Sequence, residues 1–558
     1  MNILIGSAWP YANGSLHIGH LAALLPADVI ARYYRAKGDD VYFVSGSDCY
    51  GTPVAIRAKQ ENKSPEEISN HYHAEFCECF RKLGFSYDRY GKTSSKEHIT
   101  FVQEFHTAMY NGNYVYENKV PQAFCDHCHT ALADRFVNGK CPDCNAHARG
   151  DQCDACGSVL EPENLIDPQC TVCGNAPVFR STKHLFIAIS KLKNELSAFL
   201  KAHPHWRKNA IAFTQRYIDE GLRDRALTRD LDWGIDVPKE GYSDKKIYIW
   251  AENVLGYLSM SKAVAAERGK DYADLFGDDS RHYYVHGKDN IPFHTIILPA
   301  LMLANGGKWK LPDDIISSEF MTLEGQKIST SQNNASISQR AHAVWVKDLV
   351  NKYHPDSIRY FILSSGPEKR DTDFTWKEFV NTHNGELLGA WGNFVHRTLA
   401  FVYKYFDAAI PHGKLNYEIT SKMDGLYQDA GNLIACGNLK EALDLIFEFV
   451  RFGNKYFDTE KPWSTRNTDP DACAETIYNC VQMIANLSVL LAPFLPFSSA
   501  KIQSWLSFSL QTQESAIVDE WVVQHVPSGI PISEPEVLFV RLDKGVAEEE
   551  RQKLSQET

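Results

Sequence analysis

Eight of the fourteen cysteines in this 558-residue chain fall in four C-x-x-C pairs, Cys125/Cys128, Cys141/Cys144, Cys153/Cys156 and Cys170/Cys173. Around them, residues 116–180 are rich in Cys, Gly, Asp and Pro, a composition that cannot fill an apolar core. Something other than burial has to hold this segment. A C-x-x-C turn presents two thiolates to one cation, and two such turns complete a tetrahedral zinc site. In a small secreted chain the cysteines would suggest disulfides; here the spacing points to metal. Two pairings fit the spacing: sequential (first pair with second, third with fourth) and nested (second with third, first with fourth). Either way, four thiolates leave no open position for a catalytic water, so two structural Zn2+ ions are expected.

The flanks read differently. Residues 1–115 alternate apolar runs ("ILIGSAW", "DVYFVSGSD") with helical patterns, the rhythm of a parallel α/β unit. The stretch 181–230 is helical and basic, and the α/β rhythm resumes at "KIYIW" and "HYYVHGKD". The Cys-rich segment is therefore an insertion. From about residue 371 strand signals disappear, and amphipathic helices such as "GNLKEALDLIFEFVRFGNKYF" take over.

A net charge of −12 argues against a chain that coats nucleic acid indiscriminately. It leaves room for a local basic patch, for which Arg207, Lys208, Arg216, Arg223, Arg225 and Arg229 are candidates. No apolar run reaches the roughly 18 residues that a membrane span needs. The N-terminus reads as a strand rather than a leader. The expectation is a cytoplasmic protein with no membrane partner.

"PYANGSLHIGH", Pro10 to His20, sits where the first strand hands over to a helix. Such a turn points free backbone N–H groups at an anion, and the helix dipole adds to their attraction. His17 and His20, one turn apart, can donate to charge developing on a phosphoryl group. Gly19 removes a side chain that would keep a nucleotide off the backbone. Neither common phosphate loop is present: no G-x-G-x-x-G follows the first strand, and "GFSYDRYGKT" has six residues between its glycines instead of four.

The motif resembles the HIGH signature of class I aminoacyl-tRNA synthetases, and "SAWPYANGSLHIGH" is most similar to methionyl-tRNA synthetases. "LEGQKISTS", Leu323 to Ser331, resembles that family's KMSKS loop. "GSDCYGTP", "TRDLDWG", "YIWAENVLGY" and "HGKDNIPFH" follow in the expected order, and the resemblance spans about residues 3–545. It implies a two-step reaction. Methionine and ATP, with Mg2+, give methionyl-adenylate and pyrophosphate; the acyl group then passes to tRNA(Met), with no covalent enzyme nucleophile.

The resemblance also assigns residues. His17, His20 and Lys327 are implied as catalytic, in contact with the triphosphate. Asn13, Gly19 and Thr330 are implied in ATP binding, Thr330 standing where the namesake motif has its second lysine. Gly287 and Asp289 are implied to hold the ribose, a carboxylate being suited to two sugar hydroxyls. Tyr11, Trp250, Tyr257 and His294 are implied for the methionine side chain and Asp48 for its ammonium, with Trp9 and Asn290 in the same pocket. Departures gather there: Trp9 replaces a frequent leucine, Glu252-Asn253-Val254 replaces a more usual Asp-Ala-Pro/Thr run, and Asn290 and Leu298 differ from common bacterial forms. "GNFVHR" and "TEKPWSTRN" imply anticodon reading by Asn393, Arg397 and Trp463. Asn393 and Arg397 are four apart, hence on one helix face.

For the cysteines the resemblance favours nesting, with Cys141, Cys144, Cys153 and Cys156 as the inner site. The implied architecture is α/β: a Rossmann-like parallel-sheet catalytic domain with a zinc-knuckle insertion, then an all-α anticodon-binding bundle. Its expected divisions are 1–115 and 231–325 for the catalytic halves and 116–230 for the insertion. They continue with 326–370 for the KMSKS-like loop and stem-contact region, 371–545 for the bundle and 546–558 for a charged, frayed tail. With no appended tRNA-binding barrel or dimerisation domain after residue 545, a monomer is expected. Rival readings are a synthetase for leucine or cysteine and a relative that has lost aminoacylation. The missing editing insertion disfavours leucine, the aromatic pocket disfavours cysteine, and intact His17, His20 and Lys327 argue against lost activity.

Overall fold

Strand β1 (Asn2–Ser7) is buried from its second residue, and β2 (Asp40–Ser47) is buried in the same way. Such continuous burial belongs to a parallel sheet covered on both faces. The computed structural model describes residues 1–556 apart from 133–135, 151–152, 154, 157, 159, 307–308, 329–341 and 507–519. Helix α1 (Ile18–Ala36) connects β1 to β2, which pairs in turn with β3 (Arg89–Lys92).

The chain then leaves the sheet as β4 (Val115–Cys125) and comes back as β5 (Val178–Ile187). These two strands form an antiparallel ribbon in register from Val115↔Ile187 to Phe124↔Val178. Much of the ribbon is exposed, so it lacks the alternation that marks a strand in sequence. That is why residues 116–180 read as irregular. At its far end a three-stranded sheet, Val137–Lys140 between His147–Arg149 and Ile166–Cys170, carries the cysteine pairs. Its core is small: Leu132, Phe136, Val137, Leu160 and Leu165 packed with four buried cysteines.

After the insertion, β6 (Ser280–Gly287) pairs with the free side of β1, and β7 (Asp314–Ser318) pairs with β6. The order is β7-β6-β1-β2-β3, with every pair parallel. The winding reverses at β1. In open α/β sheets the crevice beyond the carboxyl ends at such a reversal is where ligands bind.

The C-terminal part is helical. Leu439–Glu460 buries one stripe, Leu439, Leu443, Ile446, Phe447, Val450 and Phe457, as an amphipathic helix on a bundle surface does. Pro470–Leu491 is buried continuously from Thr476 to Leu491 and runs through the centre. One core joins the bundle to the buried face of α1. Across that junction Arg359 pairs with Asp28 at 2.8 Å, both side chains fully buried. Arg359 also donates to the carbonyls of Leu83, Pro493 and Phe494, so no buried donor is stranded.

Four further features differ from the sequence reading, the first being residues 181–187, read as helical but part of strand β5. Thr372–Phe374 is a strand, parallel to Met321–Leu323, too short to leave a periodic signal. The charged end is a helix, Gly545–Gln556, docked on Trp376–Thr382 rather than frayed. Its charges have partners: Arg551 meets Glu324 at 2.7 Å and Glu550 meets Lys352. Within the basic stretch, Arg207 bridges the carbonyls of Ser317 and Gly437, and Arg229 stacks 4.0 Å over Tyr248.

Candidate active site

The segment after β1 crosses the carboxyl edge of the sheet. Ala12 N–H donates to the Asp48 carbonyl and Asp48 N–H to the Pro10 carbonyl, so Tyr11 and Asp48 lie side by side. Asn13 is half-buried on the turn that follows.

His17 is the N-cap of α1. Its Nδ1 accepts from Gly19 N–H at 3.1 Å, while His17 N–H donates to His20 Nδ1 at 3.1 Å. The two imidazoles thus do what Ser and Glu do in a capping box. Burial holds both rings neutral: His20 is pulled down to about 4 and His17 well below its usual range, the neighbouring His20 adding to the effect. A neutral imidazole that accepts at Nδ1 carries its proton at Nε2. Both rings therefore offer an Nε2–H donor, and among the described residues neither donor has a partner. Gly19 is needed here for a reason beyond ligand access. A Cβ at that position would sit 2.9 Å from His17 Cε1.

Lys327 ends a two-residue hairpin, Met321–Leu323 with Gln326–Lys327, whose turn residues Glu324 and Gly325 have φ of 47° and 78°. Lys327 is exposed, and the side chain of Ile328 lies 3.6 Å from a Cβ built on Gly19. Thr330 lies outside the described residues. The chain re-enters description beside the first motif: Ile18 N–H donates to the Val344 carbonyl and Val346 N–H to the Leu16 carbonyl. The two signatures are thus tied together through their flanks. At the end of β6 the Asp289 carboxylate folds back over Gly287, where a Cβ would meet it at 2.7 Å.

The other side of the crevice is aromatic. Trp250 stacks on Phe293 at 3.5 Å and meets Tyr11 edge-on at 6.3 Å. Tyr257 O–H lies 2.8 Å from His294 Nε2, and His294 Nδ1 lies 2.9 Å from the Asn290 carbonyl. Since the carbonyl only accepts, Nδ1 carries the proton and Tyr257 donates to Nε2. Burial pulls His294 down to about 4, in keeping with that neutral form. Trp9 is buried, edge-on to Tyr257. Asp48 is buried behind Tyr11; its carboxylate accepts from Tyr50 N–H at 3.2 Å and from Asn253 Nδ2 at 2.7 Å. Burial still pushes Asp48 well above the usual carboxylate range.

The cysteines close as two nested clusters, Cys125/Cys128/Cys170/Cys173 and Cys141/Cys144/Cys153/Cys156, with sulfurs within 4.8 Å of one another. Nearest cross-pair contacts are 3.4 Å for Cys125–Cys173, 3.6 Å for Cys144–Cys153 and 3.8 Å for Cys141–Cys156. Tetrahedral Zn–S bonds of about 2.3 Å place sulfurs about 3.8 Å apart. The donor sets fit zinc.

Comparison with known proteins agrees with this geometry. A family model described as tRNA synthetases class I (M) matches residues 3–399, and one described as the anticodon binding domain of methionyl tRNA ligase matches 415–557. Methionine–tRNA ligase 1 of Alkaliphilus oremlandii is 51% identical, covering 99% of this chain and 100% of the relative. This chain belongs to the methionyl-tRNA synthetase family. The methionine–tRNA ligase of Bacillus cereus strain B4264 is 49% identical over 99% of both chains. The fold also matches Mycobacterium tuberculosis methionyl-tRNA synthetase, solved with methionyl-adenylate. That match has a TM-score of 0.78 at 22% identity and covers 97% of this chain and 100% of the other.

Of the three residues expected to read the anticodon, Arg397 and Trp463 meet at the ring of Phe457. Asn393 is exposed, Arg397 donates to Asp458 at 2.8 Å and to the Asn454 carbonyl, and its guanidinium lies 4.2 Å over Phe457. Trp463, 50% exposed, packs 5.9 Å from the same Phe457 ring. Sequence reasoning missed Phe457, and likewise Phe293 under Trp250. It also missed a buried chain in which Glu252 Oε2 lies 2.8 Å from His98 Nε2 and His98 Nδ1 2.9 Å from Ser259 Oγ. Its one signal was the unusual Glu252-Asn253-Val254 run.

Proposed function

We propose that the chain is a methionine–tRNA ligase that activates methionine with ATP and then esterifies tRNA(Met). The observation that carries this reading is the pair of Nε2–H donors on His17 and His20, which have no partner among the described residues. Ile328, which follows the Lys327 hairpin, approaches Gly19 between them, and Trp250 stacked on Phe293 forms an aromatic wall of the crevice. In the first step the methionine carboxylate attacks the α-phosphorus and pyrophosphate leaves. Charge then builds on the leaving group, where fixed donors stabilise the transition state more than the ground state. His17, His20 and the Lys327 ammonium supply those donors. Asn13, Gly19 and Thr330 complete the ATP site, and Gly287 and Asp289 receive the ribose. Asp48 meets the substrate ammonium, while Trp9, Tyr11, Trp250, Tyr257, His294 and Asn290 enclose the thioether, a flexible polarisable group suited to aromatic walls. In the second step the tRNA terminal adenosine attacks the adenylate carbonyl and AMP leaves.

Mg2+ enters with ATP. Two Zn2+ ions are assigned to the nested cysteine clusters, where four thiolates each make them structural. Asn393, Arg397 and Trp463 are assigned to the anticodon, whose unpaired bases stack on aromatic rings and bond through their edges. We assign the chain as a cytoplasmic monomer, catalytic over 1–115 and 231–325, with its insertion at 116–230, loop region at 326–370 and bundle at 371–545. Among the described residues no helix is long and apolar enough to cross a membrane. ATP–pyrophosphate exchange with a panel of amino acids tests the reading. Methionine alone should support exchange; exchange with leucine or cysteine instead would overturn it.

A further inference from the structure

Asp48 is 1% exposed, and among the described residues Asn253 is the only side chain that donates to it. The two residues are 205 positions apart, yet Asn253 Nδ2 reaches Asp48 Oδ2 at 2.7 Å. Asn253 is itself buried, on the turn Asn253–Leu255 that follows the short helix Ile249–Glu252. That turn is held from behind. Glu252 contacts His98, on the helix Lys96–Tyr110, and His98 contacts Ser259, whose hydroxyl donates to the Gly256 carbonyl at 3.1 Å. Asn253 therefore stands on a backbone anchored to two other helices, and its amide has little freedom to turn away.

We propose that Asn253 is a positioning residue for the ammonium of methionine, acting through Asp48. This rests on the assignment of Asp48 to that ammonium. One carboxylate oxygen is oriented by Tyr50 N–H and the other by Asn253, which sets the plane of the carboxylate facing the substrate. The amide has a second effect. Burial favours the neutral acid, which cannot balance an ammonium, and the donated hydrogen bond favours the ionised form. Without Asn253 the carboxyl group loses both its orientation and part of its charge.

The test uses the full-length enzyme in methionine-dependent ATP–pyrophosphate exchange. Asn253→Ala removes the donor; Asn253→Leu removes it while refilling the volume. Both variants should raise KM for methionine about 10- to 100-fold, as expected for a lost hydrogen bond to a charged group. Both should leave kcat and KM for ATP within about threefold, because the interaction is made equally in ground and transition states. Methioninol, which keeps the ammonium and lacks the carboxylate, should weaken as an inhibitor by the same factor. 4-(Methylthio)butanoate, which lacks the ammonium, should inhibit wild type and variants equally. Equal weakening of both analogues, or recovery of wild-type KM in Asn253→Leu, would overturn the inference, since Asn253 would then only fill space. Asp48→Asn separates the two levels. If it leaves KM for methionine unchanged, the assignment of Asp48 fails; if it raises KM while Asn253→Ala does not, only the role of Asn253 fails.

Discussion

The two ends of the cleft use the same side chain in opposite ways. At the end we assign to the triphosphate, His17 and His20 accept backbone N–H groups at Nδ1 and keep an Nε2–H with no partner among the described residues. At the end we assign to methionine, His294 and His98 have both ring nitrogens engaged, with Tyr257 and the Asn290 carbonyl and with Glu252 and Ser259. One end is complete before substrate arrives. The other is a set of donors without a partner among the described residues, which the proposed reaction would fill with developing charge. The difference teaches where substitutions act: changes at the complete end alter binding, and changes at the waiting end alter the rate.

The largest effect should come from the waiting end. Lys327→Ala and His20→Ala are each expected to lower kcat of ATP–pyrophosphate exchange by about 100- to 1,000-fold, the scale set by loss of one transition-state donor. KM for methionine should stay within about twofold. If KM rose as much as kcat fell, the two ends would not be separable.

A third surface provides a control. Trp463 lies in the helical part, half exposed beside Phe457 and Arg397. Stacking of a base on an aromatic ring is worth about 1–3 kcal/mol, so Trp463→Ala should raise KM for tRNA(Met) about 5- to 150-fold. Exchange without tRNA should not change. Loss of both activities together would show that Trp463 supports the bundle and reads no base.

At the complete end, Tyr257→Phe removes the donor to His294 Nε2 and leaves the ring in place. The unpaired buried nitrogen should raise KM for methionine about tenfold, with kcat nearly constant. A fall in kcat without a change in KM would move Tyr257 to the other side of the comparison.

How much of this was legible in sequence follows the range of the interactions. The turn carrying His17 and His20 is local, and its capping geometry is written within four residues. The alternation of strands and helices around the sheet was legible because burial on both faces leaves unbroken apolar runs. The ribbon of β4 and β5 was not, because an exposed ribbon imposes no apolar pattern. Spacing alone left the cysteines with two pairings, and the sheet between the pairs brings them together as a nested set. Gly19 was read as room for a nucleotide, whereas its nearest constraint is the His17 ring. Asn253 could be flagged as unusual but not explained, since its partner Asp48 is 205 positions away.

The smallest effect expected is on stability, and it sets His98 against His294. Burial pulls His294 down to about 4 and His98 to about 3, against 6.5 for a free imidazole. The unfolded chain therefore takes up a proton at each position as pH falls below about 6.5, and the native state does not. Stability should be lost between about pH 6.5 and 4. For His98 there is a compensation. Burial pushes Glu252 well above its usual range, with Asp48 as a second cause, so native Glu252 stays protonated and donates to neutral His98. Between pH 4.5 and 6.5 the unfolded pair holds one proton on histidine, and the native pair holds one on glutamate. Proton counts match, so the pair adds no slope in that window. Above pH 6.5 the native glutamate proton has no unfolded counterpart, and stability should fall as pH rises. Glu252→Gln keeps a donor to His98 and removes the titrating group. It should steepen the loss of Tm between pH 6.5 and 4.5 by a few degrees, since each unmatched proton costs about 1.4 kcal/mol per pH unit. It should also abolish the decline above pH 6.5. His294→Gln should instead flatten the acid limb, because its partner Tyr257 is neutral throughout. Identical acid limbs in the two variants would mean that burial holds neither imidazole neutral, since the two substitutions would then leave the proton count on that limb equal.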